Sequence, residues 1–363
     1  DISKHANIHL RLRHGTDAAL INGIMNVIIS EDLHDRAFIN ERTEGFDELK
    51  DLVQKYTPEY VQEITGVPAS DIREAALLFG KAEKAATLYN MGATQHITGV
   101  NNVRSLANLV MLTGNIGRES TGLNPLPGQN NGTGAGAMGV LPNVYTGNQK
   151  VTDEKIRQKF EEAWGVHLPA ETGIPLPIMI ESAHAGKLKA MYVMGANPAM
   201  SLPDINNVRE GLAKLDFLVV QDLFISETAE LAHVVLPVAS HFEIDGTITN
   251  IERRVQRVRK VIDPIGQSRP DCDIISDIAT RMGYEMKYSS PAEIMTEIAS
   301  LTPPFAGISY DRLDNGGIQF PCPNKEHPGT QYLFKDKFPI GRGQFQGFEY
   351  LPPNELPDEE YPF

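Results

Sequence analysis

Residues 114–139 carry eight glycines, two prolines and four asparagines. Glycine and proline both oppose regular helix and strand, so this run predicts a long irregular loop. Apolar, periodic segments flank it on both sides. A loop of this length inside a well-patterned chain reads as a binding element. Backbone N–H groups freed by glycine, with the amides of Gln129, Asn130 and Asn131, suit a ligand rich in phosphate, carbonyl and ring-nitrogen acceptors. Gly134, Gly136 and Gly139 also match the GxGxxG dinucleotide fingerprint. That fingerprint needs an apolar strand before its first glycine and a helix after its last. Here residues 127–133 are polar and Val140-Leu141-Pro142 does not open a long helix, which argues against nicotinamide binding.

With 363 residues and 41% hydrophobic content, the chain is long enough for two globular domains, each with its own core. A net charge of −14 argues against nucleic acid as the partner. No apolar run has the length of a bilayer span and no signal peptide opens the sequence, so a soluble, cytoplasmic protein is expected. Cys272 and Cys322 are the two cysteines, far apart and in no CxxC pair; no disulfide framework and no metal-ligand set is expected from them. The sequence begins at Asp1 in mid-pattern, which suggests a piece of something longer.

Ile8, Leu10 and Leu12 alternate with polar residues as in a strand, and His14-Gly15-Thr16-Asp17 then turns the chain into a helical run over residues 18–29. Thr16 or Asp17 suits the N-cap, and such a turn also lets helix N–H groups hold an anion. Residues 35–81 read as short helices with caps at Thr57-Pro58 and near Pro68. Residues 85–89 read as a buried strand ending in Asn90-Met91-Gly92-Ala93-Thr94-Gln95, with a helix over 103–112 behind it. His96 has no carboxylate beside it in sequence and reads as a surface or capping histidine. An amphipathic helix is expected over 152–164. Strands follow at 188–194, 217–220 and 234–237, with helical segments at 205–215 and 226–232 between them. Short buried strands alternating with helices predict a parallel, doubly wound sheet. Ligands then sit at the strands' carboxyl ends, where Asp222 is placed to accept from a ribose or from the N1 and N2 edge of guanine. Ser226 is available to cap the helix after it, which leaves Asp222 free.

Several stretches together resemble the molybdopterin-dependent oxidoreductases, and within them the alpha subunits of formate dehydrogenases. They are RTEGFDEL, YTPEYVQEITGV, NMGATQ, RSLANLVMLTGNIGR, NPLPGQNN, VMGANP, VVQDLF and ISDIATRMGY. The resemblance implies two α/β, Rossmann-like domains with mostly parallel sheets facing a cofactor cleft, at 1–125 and 126–270, then a helical and irregular segment, 271–363. Strands ending at Tyr89, Met194 and Val220 would face that cleft, with the division near 121–129. The implied cofactor is bis-molybdopterin guanine dinucleotide carrying molybdenum or tungsten. Gly15, Thr16, Asp17, Met91, Gly92 and Gln95 would hold one dinucleotide. Gly195, Asn197, Gln221 and Asp222 would hold the nucleotide end of the other, and Gln129 would approach the pterin. The reaction implied is two-electron oxidation of formate, or a related step on another small substrate, with electrons passed to electron-transfer subunits.

In that family a [4Fe–4S] domain and a cysteine or selenocysteine metal ligand followed by histidine precede the point where this sequence starts, and a β-rich domain follows Tyr361-Pro362. No catalytic residue and no metal ligand is therefore expected within these 363 residues, and the isolated chain is expected to be inactive. Pro127 stands where formate dehydrogenases carry an arginine for the carboxylate, and its side chain has neither donor nor charge. Formate dehydrogenase, a related molybdopterin reductase with another substrate, and a non-catalytic cofactor scaffold remain the readings.

Overall fold

The computed structural model describes residues 2–361, and the chain forms two units. One comprises the residues up to Gly128 together with those from Gln331 onward; the other runs from Gln129 to Thr330. The second unit is thus an insertion in the first.

Unit one is built on α1 (Asp17–Ser30), whose Ala19, Met25 and Ile28 are wholly buried. There follow α2 (Arg36–Arg42), β1 (Thr43–Glu44), α3 (Phe46–Val53), α4 (Pro58–Thr65) and α5 (Ala69–Lys81). Local signals start two of these helices. Asp35 accepts from Phe38 N at the head of α2, and Thr57 accepts from Tyr60 N at α4, with Pro58 in the first turn. Next come β2 (Ala86–Tyr89), α6 (Met91–Thr94), α7 (Gly99–Leu112) and β3 (Gly122–Pro125), with β2 and β3 parallel.

Three expectations need correction here. Ile8, Leu10 and Leu12 keep their alternating half-burial but form no strand. Leu10 and Leu12 pack against Leu20, Tyr56 and Val61, and no neighbouring backbone pairs with theirs. The strand at β2 is not buried, since Leu88 is 59% exposed. The glycine-rich run is not wholly irregular: β3 lies inside it because β2 supplies the ladder partners, and tertiary pairing overrides weak propensity.

Unit two opens with a short helix in the same run, α8 (Gly132–Ala137), whose preceding Asn131 accepts through Oδ1 from Thr249 N. Gly134 and Gly136 therefore lie within a helix, with no strand directly before them. The chain continues through β4 (Val144–Tyr145), β5 (Gln149–Lys150), α9 (Glu154–Trp164) and α10 (Leu176–His184). Asp153 caps α9, accepting from Lys155 N and Ile156 N. Then β6 (Ala190–Met194), α11 (Pro198–Ser201), α12 (Ile205–Ala213), β7 (Phe217–Asp222), α13 (Glu227–Glu230) and β8 (Val234–Pro237) make a parallel sheet in the order β6-β7-β8. Its core includes Val193, Leu212, Leu218 and Val220. An antiparallel sheet follows from β9 (Gly246–Thr249) and β10 (Arg254–Val258). After α14 (Asp271–Arg281), α15 (Pro291–Leu301) and α16 (Tyr310–Leu313), β11 (Ile318–Gln319) joins that sheet beside β10. The class is α/β with small, mostly parallel sheets.

The chain then returns to unit one, where β12 (Gly343–Gln344) lies parallel to β1. Phe338 and Phe345 join the core around Met25, Leu49 and Leu112. Two buried asparagines hold this return segment: Asn22 Nδ2 donates to Phe348 O at 2.8 Å, and Asn108 Nδ2 donates to Gln346 O at 2.6 Å.

His34, between α1 and α2, stacks on Phe46 with ring centroids 5.4 Å apart. Its side chain is 11% exposed, and Nδ1 lies 3.7 Å from Asp32 Oδ1 with no hydrogen-bond partner. Burial lowers its pKa, and Asp32 opposes this only in part. A folded-state pKa below the unfolded one means that the unfolded chain takes up the proton first as the pH falls. The stability this residue contributes is complete above about pH 6.5 and is lost below it. His34→Gln is expected to lose less of its urea midpoint than the wild type between about pH 7.5 and about pH 5. Equal losses in the two proteins would rule this out.

Candidate functional site

The first candidate site forms at the head of α1. Thr16 is buried, but its Oγ1 donates to Arg13 O at 2.6 Å and does not cap the helix. Asp17 sits half-buried in the first turn. Burial pushes its carboxyl pKa up, against the opposing pull of its own backbone N–H, His96 and His14. The fold brings His96 to it: Nε2 lies 3.9 Å from Asp17 Oδ2 and 2.9 Å from Gly92 O. No carboxylate lies beside His96 in sequence; the fold supplies Asp17 from the head of α1.

His96 thus joins Gly15, Thr16 and Asp17 to the β2–α7 turn that carries Met91, Gly92 and Gln95, all three of them exposed. Asn102 Nδ2 donates to Ala93 O and steadies that turn from α7. No atom lies within 4 Å of where a Cβ on Gly92 would sit. A cavity of about 940 Å³ opens beside Gly15 and Thr16, lined also by Arg11, Arg13, His14 and His96. The sequence reading missed the two arginines and His14, although the pattern RLRH just before Gly15 was their signal. A helix N-terminus beside two arginines suits a diphosphate.

The second candidate site lies at the carboxyl edge of β6-β7-β8. Gly195 takes φ +55°, a left-handed turn that glycine adopts without strain, and its N–H donates to Gln221 O at 2.9 Å. The space over its Cα is open to 4 Å. Asp222 is half-buried; its Oδ1 accepts from Leu223 N at 2.7 Å. Ser226 caps α13 by accepting from Ala229 N, so Asp222 does not serve as that cap. Asn197 and Gln221 make hydrogen bonds within the protein. Asn197 Nδ2 donates to Glu227 at 2.6 Å and Oδ1 accepts from Thr228 Oγ1 at 2.8 Å, which ties the Gly195 turn to α13. The bond from Asn197 holds the Glu227 carboxyl pKa below its usual range. Gln221 is fully buried, accepting from the Tyr192 hydroxyl and donating to Asp271 Oδ1 at 2.6 Å.

Gln129 is exposed and Pro127 half-buried, and the chain passes from one unit to the other between them. Cys272 lies in the first turn of α14, with its thiol pKa raised chiefly by burial; Cys322 is buried in the core beside Phe305 and Ile308. Among the described residues, no three His, Cys, Asp or Glu side chains converge as metal ligands, and no helix is long and apolar enough to cross a membrane. Gln221→Ala strips the partner from both the Tyr192 hydroxyl and the Asp271 carboxylate. It is expected to cost about 1–3 kcal/mol in urea unfolding; an unchanged midpoint would show that neither bond contributes.

A family model described as Molybdopterin oxidoreductase matches residues 2–281. The F420-dependent formate dehydrogenase subunit alpha of Methanocaldococcus jannaschii is 49% identical over 366 aligned positions, covering 99% of this chain and 54% of that protein. Formate dehydrogenase H of Escherichia coli is 43% identical over 368 positions, covering 100% of this chain and 52% of its own length. Among solved structures, acetylene hydratase from Pelobacter acetylenicus superimposes with a TM-score of 0.71 over 95% of this chain and 49% of that one. At 24% identity, that likeness is one of fold. The chain spans about half the length of the curated relatives it matches. With the family match extending over most of its residues, the chain belongs to the molybdopterin oxidoreductases.

Proposed function

We propose that this chain is the central part of the catalytic alpha subunit of a formate dehydrogenase, and that it holds bis-molybdopterin guanine dinucleotide. The observation that carries this reading is the identity of 44–49% to formate dehydrogenase alpha subunits over essentially the whole chain. The site geometry supports it. Gly92 and Gly195 each leave open space at the carboxyl end of a parallel strand, one in each unit, where a nucleotide would lie against bare backbone. In unit one, Arg11, Arg13, His14 and the head of α1 would hold a diphosphate, with Met91, Gly92 and Gln95 alongside it. In unit two, Asp222 would accept from a guanine edge or ribose. Asn197 and Gln221 would act there by fixing the turn and the strand end, and Gln129 would approach the pterin.

When bound, the molybdenum or tungsten centre supplies the two-electron redox chemistry; this chain's residues bind and orient the group that carries it. The metal's protein ligand and the [4Fe–4S] cluster are assigned to parts of the full-length protein beyond this chain. Electron-transfer subunits would receive the electrons, and the cytoplasm is the proposed location. Pro127 favours a second reading, in which a related small substrate replaces formate, because proline offers formate no cationic anchor.

Two outcomes test these assignments. Asp222→Ala is expected to weaken guanosine diphosphate binding by about 1.5–3 kcal/mol for each charge-assisted bond lost, with adenosine diphosphate bound less well by the wild type. Equal calorimetric affinity for the two nucleotides would remove the guanine assignment. In the full-length subunit, Pro127→Arg is expected to raise formate-dependent dye reduction. Strong activity with Pro127 in place would mean that another residue anchors the carboxylate.

A further inference from the structure

The cavity at Gly15 has a roof made by this chain. Tyr350, Pro353, Glu355, Leu356 and Pro357 line it together with the basic side chains. Pro353 lies directly on Gly15: a Cβ there would come within 2.5 Å of Pro353 Cγ. A smaller cavity of about 160 Å³ is shared between Gly15, His96, Thr98 and the roof residues Leu351, Pro353 and Asn354.

The attachment of this roof changes abruptly at Tyr350. Before that point the chain is tethered, through Lys55–Glu349 at 2.7 Å and through Tyr350 N donating to Tyr56 OH at 2.8 Å. From residue 351 to 357 no hydrogen bond or ion pair is made to any described residue. Leu351 and Leu356 remain 54% and 65% exposed, so little apolar surface holds the segment down. Pro352, Pro353 and Pro357 keep it extended and remove three N–H donors. A stretch secured by one proline ring and no backbone bonds opens at little cost.

Its charge says what it gives way to. Glu355 lines the cavity, and Asp358, Glu359 and Glu360 follow it in sequence, while Arg11, Arg13, His14 and His96 line the same cavity. A segment with this charge would repel a bound phosphate if it closed over one, yet it matches the basic floor when it takes the phosphate's place. We propose that residues 351–357 form a displaceable flap that competes with a diphosphate for the Gly15 cavity and is expelled when the diphosphate enters. This inference rests on the reading of that cavity as a phosphate site.

The test uses the full-length subunit freed of its cofactor, with guanosine diphosphate as the probe. Saturating nucleotide is expected to speed cleavage by a glutamate-specific protease after Glu355 and Glu359 by about threefold or more, since expulsion raises the open population. Pro353→Gly removes the ring that seats the flap, and Glu355→Gln removes its charge on the cavity. Each is expected to tighten calorimetric binding by about threefold to tenfold, because less of the chain is held in the competing state. If the wild type binds the nucleotide while cleavage is unchanged or slowed, or if both variants bind no tighter, the flap is overturned and the phosphate site stands. If wild type and both variants all fail to bind, the phosphate-site reading falls and the flap falls with it.

Discussion

Asn22 and Asn108 each send a buried amide nitrogen to a carbonyl of the returning chain, at Phe348 and Gln346. A buried amide without a partner costs about 1–3 kcal/mol, so these two bonds fix where the return segment crosses α1 and α7. The rest of unit one follows from that crossing. Phe338 and Phe345 are delivered into the core beside Met25 and Leu112, and β12 finds β1. Tyr350 reaches Tyr56, which sets where the tethered chain ends and the flap begins. The head of α1, with Gly15 and Thr16, is thereby given both its floor and its roof.

Much of the local structure was legible in the sequence because its causes are local. Thr57 with Pro58, and Ser226, mark helix starts through residues within one turn, and each makes the bond its side chain suggests. The parallel strands β6, β7 and β8 showed as short apolar runs between helical ones. What stayed hidden depends on distant partners. The Asn22 bond spans 326 residues, and nothing near Asn22 announces it. His96 acquires Asp17 only once α1 and the β2–α7 turn meet. The glycine-rich run misled for the same reason: its composition disfavours a strand, and β2 supplies from outside the ladder that makes one.

The candidate sites show a division of labour between residue types. At both strand ends the open positions belong largely to glycine, which contributes by leaving room. At the β6–β7 edge the amide side chains that looked most like ligand contacts, Asn197 and Gln221, are spent inside the protein, bonded to Glu227, Thr228, Tyr192 and Asp271. Such a turn keeps its shape because its polar groups are already satisfied, and a ligand meeting it encounters a preset surface. Asp222 departs from this pattern: its Oδ1 takes one short bond from Leu223 N, and Ser226 spares it from capping.

The insertion of residues 129–330 into unit one also sets an order of events during synthesis. When Asn22 and Asn108 leave the ribosome, the carbonyls they need have not been made. The first 128 residues must wait, with apolar faces of α1, α3 and α7 uncovered, while the whole insert is produced. The insert has its own cores, so it is able to fold before unit one is complete. Its folding turns the closure of unit one from the capture of a long, free loop into the docking of the segment that follows residue 330, at a smaller entropic cost. Unit one comes first in the sequence and is completed last.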